Sequence, residues 1–261
     1  MKKFLVVALA LVMGLSVVAC TGSKSDSDLE YVKEKGKLVV GITEYAPMDY
    51  KDENGKWVGF DAEMATAFAE SLGVEVEFVI IDWDNKVFEL DSKAIDCVWN
   101  GMTLVDEVVA KMECSNPYCN NSQTVIVPAK DADKYQTVES VKDLTFAVES
   151  KSAGQAQVEA LGYDFVEVTA QADALMEVKA GTSDAAVIDA LMAAAMVGEG
   201  TDYADLTYTV GLNSEEYGVG FRKGSDLCEE LNKFFVDAYK DGSMIKCAEK
   251  YKIQASLIEQ K

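Results

Sequence analysis

Twice along the chain a short apolar run gives way to an amphipathic helical stretch and then to another strand-like run, and this repetition constrains the fold more than any other feature. In the first pass Leu38, Val39, Val40, Gly41 and Ile42 form a run suited to a strand buried on both faces. A turn signal, Asp52-Glu53-Asn54-Gly55, follows inside residues 50–58. Asp61 then caps a predicted helix that carries Met64, Ala65, Phe68 and Leu72 on one face and ends at Gly73. Residues 74–79 and 95–99 alternate like strands. The second pass runs through a strand at 145–148, a helix at 153–161, a strand at 165–168, a helix at 172–180 closed by Gly181, and a strand at 185–188. A βαβ rhythm favours a largely parallel sheet with helices on its faces, so two such units in tandem predict an α/β protein of two lobes. Residues 227–239 and 243–251 are amphipathic helices, with Leu231, Phe234, Phe235 and Ala238 on a core face, and must pack on a lobe already built.

The first residues follow a different logic. Lys2 and Lys3 precede an apolar stretch over 4–18, and small residues follow at Ala19-Cys20-Thr21-Gly22-Ser23. These are the three zones of a secretory signal, too short and wrongly flanked for a spanning helix. Val17-Val18-Ala19-Cys20 is similar to the lipobox of bacterial lipoproteins, which implies cleavage after residue 19 and a lipid on Cys20. Residues 20–28 are small and polar, as a flexible tether must be, and the folded part is expected to begin near Leu29.

Composition removes several function classes. At 49% hydrophobic residues the chain can bury a sizeable core, while its net charge of −21 argues against nucleic acid or an anionic membrane surface as partner. Histidine is absent, which excludes Ser-His-Asp and Cys-His catalysis and removes the commonest zinc ligand; no metal or cofactor is implied. Cys97, Cys114, Cys119, Cys228 and Cys247 show no CxxC spacing, so the sequence allows one or two disulfides at most, or buried free thiols.

In open α/β sheets a ligand sits beyond the carboxyl ends of the strands, which directs attention to residues 41–48, 100–103 and 149–153 and to Asp189. Across 29–256 an ordered series then resembles the extracellular solute-binding proteins, family 3, of polar amino-acid ABC importers. The pieces are Tyr50 to Asp61, Trp99-Asn100-Gly101-Met102-Thr103, Ser115-Asn116-Pro117-Tyr118, Asp184 to Asp189, and Tyr217 to Gly224. The resemblance implies a type II periplasmic-binding-protein-like fold, two lobes on two hinge strands that close on a ligand like a jaw. It divides the chain into lobe one at 29–122, lobe two at 123–216 and a return to lobe one at 217–261. It also implies a membrane permease as partner, a monomer, and no catalysis.

The same resemblance assigns a pocket. In such proteins an arginine shortly after the Gly-x-Thr turn clamps the ligand's α-carboxylate, the turn adds hydrogen bonds, and an aspartate at a strand end of lobe two takes the ammonium. Gly101, Met102 and Thr103 match the turn, Asp189 the aspartate, and Ser152 with Ala153 the helix start facing the ligand. Tyr45 and Met48 are expected as walls, with Trp83 and Trp99 as further aromatic candidates. Two positions depart from the pattern: Val108 stands where the arginine belongs, and Glu149 where relatives often carry Lys or Gln. With Glu44 near the mouth, the expected pocket is acidic and its ligand cationic or amine-bearing. The competing expectation is that Lys86 or Lys111 substitutes for the arginine and an ordinary amino acid binds. The rival functions are an enzyme of the same fold, a dehydratase acting on cyclic prephenate-like acids, and a sensory ligand-binding module.

Overall fold

The computed structural model describes residues 27–261. The expected signal, Cys20 and the tether up to residue 26 lie outside them. Along the chain come α1 (Asp28–Lys35), β1 (Lys37–Ile42), the hairpin of β2 (Tyr50–Lys51) and β3 (Trp57–Val58), α2 (Phe60–Leu72), β4 (Glu75–Ile80), α3 (Lys86–Asp91), β5 (Cys97–Thr103), α4 (Asp106–Lys111), β6 (Glu113–Cys114) and β7 (Cys119–Asn121). Then follow β8 (Gln123–Pro128), β9 (Phe146–Glu149), α5 (Ala153–Leu161), β10 (Phe165–Val168), α6 (Gln171–Ala180), β11 (Ala185–Asp189), α7 (Ala190–Met196) and β12 (Leu206–Gly211). The chain ends with β13 (Glu215–Phe221), α8 (Leu227–Lys240) and α9 (Ser243–Lys250).

Two sheets organise these elements. The first has the order β4-β1-β5-β13-β6, with β7 also on β13, and the second β10-β9-β11-β8-β12. The chain passes from the first sheet to the second between β7 and β8 and returns between β12 and β13. In each sheet the βαβ units pair in parallel, β1 with β4 and β5, and β9 with β10 and β11. The strands that follow a crossing run antiparallel to their neighbours, so both sheets are mixed rather than mostly parallel.

Because side chains alternate across a strand, β1 serves two cores at once. Leu38, Val40 and Ile42 pack with Met64, Ala65 and Phe68 of α2, while Val39 lies with Ile81, Leu90 and Ile95 on the other face. The carboxyl-terminal helices close the first core: the Phe235 ring lies 5.5 Å from Trp99 and 5.7 Å from Tyr118, and Phe234 lies 5.5 Å from Phe68. Trp99 is therefore core and not pocket. Burying side chains of this size contributes about 1.5–3 kcal/mol each.

Two local expectations change. Helix α2 is capped by Gly59, whose φ of 124° and approach to the Met48 carbonyl, 2.1 Å from any added Cβ, admit only glycine. Asp61 thus lies inside the first turn, fully buried. Ser27 and Asp28, read as the end of the tether, instead cap and open α1, and Asp28 pairs at 2.9 Å with Arg222. Arg222 also donates to the carbonyls of Leu90 and Ile95, so the chain's arginine is a structural tie. The five cysteines of the described residues are free thiols.

Candidate functional site

The carboxyl ends of both sheets face one cavity, of about 30 Å³ as swept by the centre of a water-sized sphere. The first lobe contributes the end of β5. Asn100 is buried there and holds the strand-end turn of β1: its Oδ1 accepts from the Thr43 amide at 3.0 Å, and its Nδ2 donates to the Thr43 carbonyl and to Asp49. Next to it the Gly101 amide donates to Asp61 Oδ2 at 2.7 Å, which gives the buried Asp61 its role as anchor of the turn. Gly101 has φ 54°, and a Cβ would meet the Tyr45 ring at 2.5 Å, so glycine is required. Thr103 ends the strand and donates to Glu215 Oε1 at 2.9 Å.

Above this turn stand Trp83, Val105, Val108 and Lys86. The Lys86 side chain is 6% exposed, its Nζ 4.7 Å from the centre of the Trp83 ring. It donates to the Trp83 carbonyl at 3.0 Å and across the cleft to the Lys151 carbonyl at 3.3 Å. Burial pulls its ammonium down to about 8, against the opposing pull of the Glu149 carboxylate.

The second lobe presents acids and amides. Glu149 ends β9 and Asp189 ends β11, both 3% exposed. Burial and the neighbouring Asp189 charge push the Glu149 carboxyl up to about 8, with Lys86 opposing. Its Oε1 is buried without a hydrogen-bond partner. Asp189 is better served: Oδ1 accepts from Asn121 Nδ2 and Gln123 Nε2, each at 2.6 Å, and Oδ2 accepts from Gln171 Nε2. Ser152 is the N-cap of α5, its hydroxyl accepting from the Gln155 amide at 3.1 Å, and Ala153 opens the helix.

The cavity lining therefore brings together Gly101, Met102, Thr103, Val108, Glu149, Ser152, Ala153 and Asp189, and adds Trp83 and Lys86. It does not include Tyr45 or Met48, which correct the expected walls. Tyr45 is turned into the first lobe, where its hydroxyl is 2.6 Å from that of Tyr217, and Met48 is wholly buried behind Gly59. Glu44 is exposed and outside the lining. Lys111 pairs with exposed Glu107 at 2.7 Å on the outer face of α4 and is no substitute for the arginine. Asn100 and Lys151 line the cavity from within the two turns the sequence pointed to, while Val105, Gln123 and Gln171 line it without having been singled out. Gln123 and Gln171 are the first residues of β8 and α6, and a polar amide at the start of an apolar element was the available signal. Among the described residues no group of three or more metal-ligating side chains converges, and no helix is long and apolar enough to cross a membrane.

Comparison with known proteins agrees with this architecture. The profile of the bacterial extracellular solute-binding proteins, family 3, matches residues 38–254. The L-cystine-binding protein TcyJ of Escherichia coli (strain K12) is 32% identical over 94% of this chain and 92% of its own. The structure of an ancestral arginine-binding protein bound to arginine superimposes with a TM-score of 0.76 at 34% identity, covering 83% of this chain and 98% of that one. Cyclohexadienyl dehydratase of Pseudomonas aeruginosa is 31% identical, but over only 50% of this chain and 51% of the enzyme. The likeness to binding proteins runs nearly end to end and that to the enzyme does not, so the chain is a solute-binding protein and not a dehydratase.

Proposed function

The chain belongs to the bacterial extracellular solute-binding proteins, family 3, and from that premise we propose that it captures an amino acid or a related amine-bearing solute between its lobes and delivers it to an ABC permease. One observation carries the reading: a single cavity is lined from both lobes by groups of opposite character, Lys86 and the Gly101–Thr103 turn on one side, Asp189, Glu149 and the start of α5 on the other. A ligand that touches both lobes favours the closed jaw, and a permease that recognises the closed shape then receives only loaded protein.

In this reading Asp189 takes the ligand's ammonium. The Gly101–Thr103 turn and Ser152 with Ala153 at the start of α5 hydrogen-bond its other polar end. Val108 offers only apolar contact, and Lys86 supplies from α3 the positive charge that Val108 cannot. The lobes are 29–122 with 217–261, and 123–216, the two crossings between β7 and β8 and between β12 and β13 acting as hinges. Working outside the cytoplasm, the protein is held at the membrane by a lipid on Cys20 and acts as a monomer. Calorimetry against L-arginine, L-cystine, a neutral amino acid and a carboxylate-free diamine tests the proposal. Micromolar or tighter binding of one of them is expected, and absence of binding by all four would refute it.

A further inference from the structure

We propose that Glu215 supports the ammonium site from outside the cavity: its carboxylate beside Asp189 keeps a proton on Asp189 in the ligand-free protein, and that proton passes to solvent when an ammonium arrives. The proposal rests on the reading that Asp189 receives the ligand's amine. Its foundation is geometric. Asp189 Oδ1 and Glu215 Oε1 converge on the same two donors, Asn121 Nδ2 at 2.6 Å to each, and Gln123 Nε2 at 2.6 and 2.8 Å. Two carboxyl oxygens drawn onto the same two nitrogens are held close to each other. They are 3% and 9% exposed, and among the described residues neither has a Lys or Arg nitrogen within 4.0 Å.

The surroundings supply no compensating cation. Asp189 is hydrogen-bonded by Gln171 from α6 and by Asn121 and Gln123 from the crossing strands, and its charge reaches Glu149 on β9 and the buried hydroxyls of Tyr45 and Tyr217 inside the first lobe. Lys86 acts on Glu149 instead. Two like charges sharing a buried site cannot both ionise readily. Burial first, and the Glu215 charge second, push the Asp189 carboxyl up to about 8, so it keeps its proton at neutral pH.

The exchange balances simply. The O–H bond of Asp189 breaks, the proton passes to water, and a ligand N–H donates to the freed carboxylate, so one positive charge leaves as another enters. Glu215 does not touch the cavity; it is a positioning residue that acts through Asp189. On its far side it borders an open surface groove with Thr103, Asn213 and Ser214, which gives the proton an exit that a closed cleft does not block.

Two measurements test this. In the ligand-free protein with ¹³C-labelled Asp and Glu carboxyls, infrared spectroscopy across pH 5–10 should show a protonated carboxyl band at pH 7 to which Glu149, Asp49 and Asp61 also contribute; Asp189→Asn should remove one component of it, and Glu215→Gln should weaken that component by half or more. Calorimetry with L-arginine in buffers of different ionisation enthalpy should then report close to one proton released at pH 6.5 and almost none at pH 9. Affinity should rise towards tenfold per pH unit up to about 8. In Glu215→Gln the proton count at pH 6.5 should fall by half or more. A band at pH 7 that Asp189→Asn leaves unchanged, or arginine binding with no buffer dependence, would overturn the proposal. Failure of arginine to bind while the band is present would count against the amino-acid reading and leave the carboxylate pair standing.

Discussion

The two faces of the cleft are built from opposite materials. The first lobe offers Trp83, Met102, Val105 and Val108 with one ammonium, Lys86, while the second offers two carboxyls, Glu149 and Asp189, bedded in the amides of Gln123 and Gln171. Each face resists being charged alone, because burying an unpaired charge costs several kcal/mol. Lys86 reaching the Lys151 carbonyl shows how closing the jaw partly repairs this, and a ligand with an amine and an acid at its two ends would repair the rest. On the proposed function, the charge division between lobes serves closure as well as selectivity.

Breaking the second face at its centre should have the largest effect. Asp189→Ala removes the ammonium acceptor and leaves Asn121, Gln123 and Gln171 without it, so affinity for the tightest of the tested solutes should fall about a hundredfold or more. Glu249→Ala, at an exposed position on α9, should leave calorimetric affinity unchanged.

Removing the first face's charge should matter less but discriminate more. Lys86→Met keeps the stem and deletes the ammonium, and should weaken a zwitterionic amino acid about tenfold or more while sparing a carboxylate-free diamine. Lys111→Ala, on its exposed pair, should change neither. Equal losses for both classes of solute would show that Lys86 serves closure and not carboxylate recognition.

The remaining effect is on stability, and its sign follows from the raised carboxyls. Glu149 and Asp189 titrate near 8 in the folded chain and in the ordinary carboxylate range when unfolded, so the folded state holds protons that the unfolded state has lost. Their contribution is complete below the unfolded range, declines as pH rises and levels off above about 8. The decline is about 1.4 kcal/mol per pH unit for each group at most. Glu149→Gln should remove one share of that slope in urea unfolding of the ligand-free protein between about pH 5.5 and 7.5; an unchanged slope would mean that Glu149 is ionised in the folded cleft.

Much of this architecture is legible in the chain. The period-two and helical patterns place β1, α2, β9, α5, α6 and β11, because burial on a defined face leaves a local trace in residue order. Turn residues of the site are legible for the same reason: Gly101, Thr103, Ser152 and Asp189 sit at element ends, where backbone geometry restricts the choice. Tyr45 and Met48 misled because an aromatic or sulfur side chain in a strand-end turn can face either cleft or core, and only the packing of Gly101 against the Tyr45 ring turns it inward. Lys86 and Glu215 were harder still, since each acts across a crossing between distant segments.

By itself, then, the sequence determined the succession of strands and helices, the acidic charge and the want of histidine, all properties of composition and local order, while the replacement of an expected arginine by Val108 was visible through the family resemblance. Tertiary structure alone decided that Lys86 would enter the cleft, that Tyr45 would leave it, and that Glu215 would meet Asp189 over the shared amides of Asn121 and Gln123. Such meetings depend on how two lobes are set against each other by the crossings between β7 and β8 and between β12 and β13, and charges that far apart in the chain carry no local mark of their future neighbours.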